Sequence, residues 1–101
     1  MPEDRQSLAT RILAAVDQIP AGSVMTYGDV GEWVGAGRIA RVVGRVLAAD
    51  GGTVAWHRVV RADGSMAEQL IDEQTQRLRA EGVRVENGRV ALRAHRWDGV
   101  S

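Results

Sequence analysis

Apolar residues recur at Leu8, Ile12, Val16 and Ile19, spaced i, i+4, i+8 and i+11, while Arg5, Arg11 and Asp17 lie off that stripe. The pattern predicts an amphipathic helix from Glu3, ended by Pro20-Ala21-Gly22. Val24 and Met25 then read as a short extended link. Thr26 is placed to cap a short helix from Tyr27 to about Val34, with Asp29 three positions on favouring its positive end. Gly35-Ala36-Gly37 breaks that helix. Another is predicted from near Arg38 to about Ala49, stopped by Asp50-Gly51-Gly52. Two helices joined by a tight Gly-containing turn form a helix-turn-helix unit.

The run Val54-Ala55-Trp56-His57-Arg58-Val59-Val60 predicts a short, partly buried strand with a polar head, followed by a turn at Arg61-Ala62-Asp63-Gly64. Leu70, Gln74 and Leu78 repeat every fourth position, which predicts a helix from about Ala67 to Glu81 ended by Gly82, with Leu70, Ile71 and Leu78 facing the core. Val83, Val85, Val90 and Leu92 alternate with charged residues on either side of Asn87-Gly88, the signal of a two-residue hairpin. That hairpin is a small wing. In the tail Arg93-Ala94-His95-Arg96-Trp97, Trp97 is expected to pack back on the body while the last residues fray.

The helix after Gly37 carries the most informative pattern. At 100° per residue Ile39, Val42, Val43, Val46 and Leu47 share an apolar face, while Arg38, Arg41 and Arg45 fall within an arc of roughly 60° elsewhere. Ala40, Gly44 and Ala48 lie on the same outward side, so a groove wall could come close without meeting long side chains. No acidic residue lies between Glu32 and Asp50. The pattern fits either a solvated basic face or a nucleic-acid contact, and a mid-helix Gly, costing about 0.5–1 kcal/mol against Ala, is consistent with close approach.

At 101 residues the chain is expected to be one domain over residues 1–101. Thirteen basic residues balance thirteen acidic ones, which argues against a nucleic-acid partner held by bulk electrostatics and makes local distribution decisive. There is no cysteine, hence no disulfide, no thiolate metal site and no thiol nucleophile. With neither a long apolar run nor a charged-then-apolar leader, a soluble cytoplasmic protein without membrane association is expected.

Five short motifs stand in order. They are Ile19-Pro20-Ala21-Gly22, Thr26-Tyr27-Gly28-Asp29-Val30, Ala40-Arg41-Val42-Val43-Gly44, Trp56-His57-Arg58-Val59-Val60, and Glu81-Gly82-Val83, with Asp63-Gly64 before the last. Over roughly Ile12 to Val83 the chain resembles the DNA-binding domain of the O6-alkylguanine-DNA alkyltransferases, whose Pro-Cys-His-Arg-Val stands here as Ala55-Trp56-His57-Arg58-Val59. Trp in place of the acceptor Cys is the mark of the alkyltransferase-like proteins. The fold this implies is mainly α with a small β-hairpin, a winged helix-turn-helix of alkyltransferase type.

The function it implies is non-catalytic. Such proteins bind O6-alkylguanine in duplex DNA through the minor groove, flip the lesion into a pocket and flag it for nucleotide excision repair, with UvrA-type proteins as partners. The resemblance places Thr26, Tyr27, Arg38, Ala40, Arg41, Gly44 and Arg45 at the DNA. Thr26 and nearby N–H groups meet a phosphate, Tyr27 turns the nucleotide out, and Arg41 fills the space it leaves. Tyr27, Trp56, Val59, Ser65 and Met66 form the lesion pocket, with the Trp56 and Val59 carbonyls accepting from the guanine amino group. His57 and Glu81 match the pair that activates the thiol in the enzymes and here become a structural hydrogen bond. Neither cofactor nor metal is implied, and a monomer is expected.

The chain departs from the pattern at three places. Ala55 replaces Pro, Asp50-Gly51-Gly52-Thr53 replaces a longer connection containing Asn-Pro, and Ser65-Met66-Ala67 stands where the enzymes have a Tyr-Ser-Gly-Gly lid. The shorter lid implies a wider pocket. Two other readings use the same residues: a winged-helix transcription regulator without lesion preference, reading the major groove with Arg38, Arg41 and Arg45, and a hydrolase in which His57 and Glu81 activate water.

Overall fold

The computed structural model describes residues 7–100. Helix α1 spans Leu8–Gln18, and Ser7 caps it, its extended backbone letting the hydroxyl accept from the Thr10 N–H at 3.1 Å. The expected start at Glu3 lies outside the described residues, and the cap at Ser7 sets the helical start at Leu8. Ile12 and Val16 on its stripe are fully buried, with Ile19 just beyond its end.

Strand β1 (Met25–Thr26) leads directly into α2 (Tyr27–Trp33). A full capping box joins them: the Asp29 N–H donates to the Thr26 hydroxyl at 3.0 Å, and the Thr26 N–H donates to the Asp29 carboxylate at 3.1 Å. Helix α3 (Ala40–Asp50) follows the glycine turn. Its start is two residues later than the sequence predicts, because Gly37 is left-handed (φ 76°) and Ile39 is non-helical. Arg38 therefore belongs to the turn, and the single basic arc on one cylinder reduces to Arg41 and Arg45, with Arg38 exposed beside them.

The run before Val60 is only partly a strand. Trp56–Arg58 forms a 3-10 turn and β2 is Val59–Val60, paired in parallel with β1 through Met25↔Val59 and Thr26↔Val60. The short Gly51–Thr53 connection is itself a 3-10 turn, so the chain is still bending when it reaches Trp56. The buried carbonyls of His57 and Val59 are met by a side chain, the Gln74 amide, at 3.0 and 2.9 Å.

Helix α4 is Ile71–Ala80, entered through a 3-10 turn at Glu68–Leu70, so its α-helical part is shorter than the predicted Ala67 to Glu81. Glu81 is its cap, followed by left-handed Gly82. Strands β3 (Val85–Glu86) and β4 (Arg89–Val90) form the expected hairpin, with both Asn87 and Gly88 at positive φ as a type I′ turn requires. A short helix α5 (Leu92–His95) leads the tail back to the residue before β1, where Val24 bridges to Arg96. Trp97 meets Trp33 edge-on with ring centroids 5.0 Å apart. As expected, it packs on the body.

Two cores result. Ile12, Val16, Met25, Val30, Val43 and Val59 close the three-helix side; Val24, Val60, Met66, Leu78, Val83, Val85 and Val90 close the wing side. The β1–β2 pair serves both, since successive strand residues face opposite ways.

Candidate nucleic-acid interface and base pocket

Arg41 and Arg45 extend from the outward side of α3, and Ala40 and Ala48 on that side are also exposed. Gly44 lies over Tyr27: a Cβ there would stand 4.0 Å from the tyrosine ring. Tyr27 is half-buried, and burial pushes its phenol above the ordinary value, partly offset by Arg61, so the hydroxyl remains a proton donor at neutral pH. Thr26 caps the helix as the sequence predicts, but it is more buried than a phosphate contact requires. It is 4% exposed, and its hydroxyl already serves as the helix cap. Asp29 occupies the same helix end, and although burial works against its charge, hydrogen bonds from Arg96 and Thr26 hold its carboxyl below the usual range.

A cavity of about 330 Å³ opens between α3 and the segments around Trp56 and Leu70. Tyr27, Gly44 and Trp56 share its wall, brought together from three separate motifs. Leu47, Ala48 and Leu70 add apolar surface, Gly51 and Gly52 leave it open, and Gln69 places an amide at it. None of these six belongs to the pocket the motifs predict, although Ala48 shares the outward side of Gly44. Spacing is the available signal for two of them: Leu47 and Ala48 follow Gly44 at i+3 and i+4 on one face of α3, and Gly51 stands just past its end.

The structure does not bring Val59, Ser65 or Met66 to this cavity. Val59 is fully buried between the cores, its carbonyl taken by Gln74 and the Trp56 carbonyl by the Val59 N–H. Ser65 is turned onto Asp63, which accepts from its hydroxyl at 2.6 Å and its N–H at 3.0 Å. Met66 is 5% exposed, part of the wing-side core. Met66 therefore closes the core instead of the pocket.

Behind the cavity, His57 Nε2 donates to Glu81 at 3.0 Å, since a carboxylate only accepts. Arg58, which carries no role in the motif comparison, makes the stronger contact. Its guanidinium donates to both Glu81 oxygens, at 2.9 and 2.6 Å, and to the Ile19 carbonyl at 2.6 Å. Glu81 thus ties the end of α4 to the segment before β2 and, through Arg58, to the end of α1. The Arg58 hydrogen bonds, outweighing partial burial and aided by His57, lower the Glu81 carboxyl from 4.5 to about 2.

A carboxyl whose pKa falls on folding stabilises above its unfolded value, and that stabilisation is lost as pH falls through the folded one. The window here runs from 4.5 down to about 2. We expect about 1–2 kcal/mol of stability to disappear across it, after allowing for solvent screening. Urea melts at stepped pH for parent and Glu81→Gln test this: the variant should start less stable and lose less on acidification, and parallel curves would rule the pair out as the source.

Two helices around a tight turn, an arginine-bearing face with small residues, a hairpin wing and a cavity behind the face define a winged helix-turn-helix DNA-binding domain. The chain belongs to the family described as 6-O-methylguanine DNA methyltransferase, DNA binding domain, whose model matches residues 7–83. A protein of Escherichia coli K12 named DNA base-flipping protein is 43% identical, the match covering 95% of this chain and 78% of that protein. A Vibrio parahaemolyticus protein of the same name is 39% identical over 86% of this chain and 92% of its own length. Among solved structures, Schizosaccharomyces pombe Atl1 in complex with damaged DNA containing O6-carboxymethylguanine superposes with a TM-score of 0.80 at 31% identity, covering 89% of this chain and 94% of that one. Among the described residues no His, Asp and Glu cluster could hold a metal ion, and no helix is long and apolar enough to cross a membrane.

Proposed function

We propose that this protein is a non-catalytic sensor of O6-alkylguanine in duplex DNA. The observation that carries the reading is the cavity in which Trp56, at the family's acceptor-cysteine position, faces Tyr27 and Gly44 beneath the arginine-bearing side of α3. With no cysteine anywhere in the chain, a captured alkyl group has no thiol to move to. Arg41 enters the duplex from the minor groove and fills the place of the extruded base, Tyr27 turns the nucleotide, and Arg38 and Arg45 meet phosphates. The cavity receives the guanine, with Trp56 contributing about 1–3 kcal/mol by base–aromatic contact. The Trp56 carbonyl, which accepts from the Val59 N–H, keeps one lone pair for the base amino group, whereas Val59 is fully buried away from the cavity. The monomer, acting in the cytoplasm, then presents the flagged site to nucleotide excision repair proteins of UvrA type.

A hydrolytic role for His57 and Glu81 is disfavoured by placement. His57 is 7% exposed, bound to Glu81, and does not line the cavity. The test is a titration of two duplexes differing by one methyl on guanine, at two salt concentrations. The sensor reading expects tighter binding to the methylated duplex at both, with the shared salt slope reporting phosphate contacts. Equal binding would favour a transcription regulator, and loss of the methyl group would reveal an enzyme.

A further inference from the structure

We propose that Arg77 is a positioning residue for the base pocket, acting through Trp56. The inference rests on the sensor reading for its consequence, while its geometry stands apart from it. The Arg77 guanidinium lies over the Trp56 ring, 5.6 Å from its centroid. Trp56 lines the cavity and Arg77 does not, so the cation reaches the space for the base only through the indole it contacts. Glu73, one turn earlier on α4, accepts from Arg77 Nε at 3.0 Å, and the same carboxylate oxygen lies 2.9 Å from Nη2, aiming the guanidinium. On the other sides Trp56 meets His57 edge-on, at 6.1 Å between centroids, and Gly51, where a Cβ would stand 3.4 Å from its own.

Helix α4 thereby grips the whole segment. Gln74 holds the His57 and Val59 carbonyls, Glu81 holds His57 and Arg58, and Arg77, at i+3 from Gln74, holds the Trp56 ring. The first two fix backbone and neighbours; only Arg77 acts on the indole itself. A tryptophan held in its binding orientation before the base arrives loses less freedom when it does, so the contact raises lesion affinity without touching the lesion.

Arg77 is half-exposed, so Arg77→Met should fold. We expect Arg77→Met to weaken binding to an O6-methylguanine duplex about two- to fivefold more than to the unmodified duplex, the range a partly exposed cation–π contact supports. Arg77→Lys should recover part of the loss, and in a Trp56→Leu background Arg77→Met should change the preference no further. A second readout needs no DNA. In protein labelled with 5-fluorotryptophan, the 19F signal assigned to Trp56 by its absence in Trp56→Leu should shift or broaden in Arg77→Met, with the Trp33 and Trp97 signals unmoved.

An unmoved Trp56 signal, a loss equal on both duplexes, or a loss that persists without Trp56 would each overturn the proposal. If the parent bound both duplexes equally, the sensor reading would fail, and the 19F result would still decide whether Arg77 positions the indole.

Discussion

Replacing Arg41 by Ala is expected to leave the fold intact and to lower affinity for O6-methylguanine duplex about tenfold or more. Arg41 is exposed on α3, away from the Val43 face that enters the core, so truncation removes no packing. Extruding a base costs roughly a few kcal/mol, and the inserted arginine is what offsets that cost in the proposed mechanism. Each 1.4 kcal/mol of it is a factor of about ten. Binding to unmodified duplex, held by phosphate contacts, should change much less. The melting temperature and the two binding curves check this together; a stable variant that binds the lesion like the parent would remove Arg41 from the mechanism.

Gly31→Ala should destabilise the protein by about 2–3 kcal/mol, a loss large enough to lower the melting temperature of a domain this size by about 10–20 °C. In most helices the same change stabilises. Here a Cβ would stand 2.6 Å from the Gly37 carbonyl oxygen and 2.7 Å from Ile39 Cγ1, so the chain entering α3 would have to move. That movement would also shift Ala40 and Arg41 relative to Tyr27. We therefore expect weakened lesion binding even at temperatures where the variant remains folded, measured by calorimetry and titration on the same sample. An unchanged or raised melting temperature would show that the turn yields easily.

The sequence by itself determined the order of elements and the ingredients of the site. Periodicity located α1, Thr26 with Asp29 marked the start of α2, and Asn87-Gly88 marked the wing, because each is a local signal in neighbouring residues. The motif series likewise brought forward Tyr27, Gly44 and Trp56, which share the cavity wall, and paired His57 with Glu81, 3.0 Å apart in the structure. What only the tertiary structure decided was where bonds and surfaces from distant segments meet. Trp56–Arg58 turns instead of extending, and Gln74, 17 and 15 residues away, satisfies the carbonyls of His57 in the turn and Val59 in β2. Arg58 joins Glu81 to the end of α1, and Thr26 is buried down to 4% exposure. Met66 closes a core, Gln69 and Leu70 reach the cavity, and Arg77 covers Trp56. Such placements depend on which side chain arrives at a buried polar group or an exposed ring, and no period of 2 or 3.6 along the chain records that.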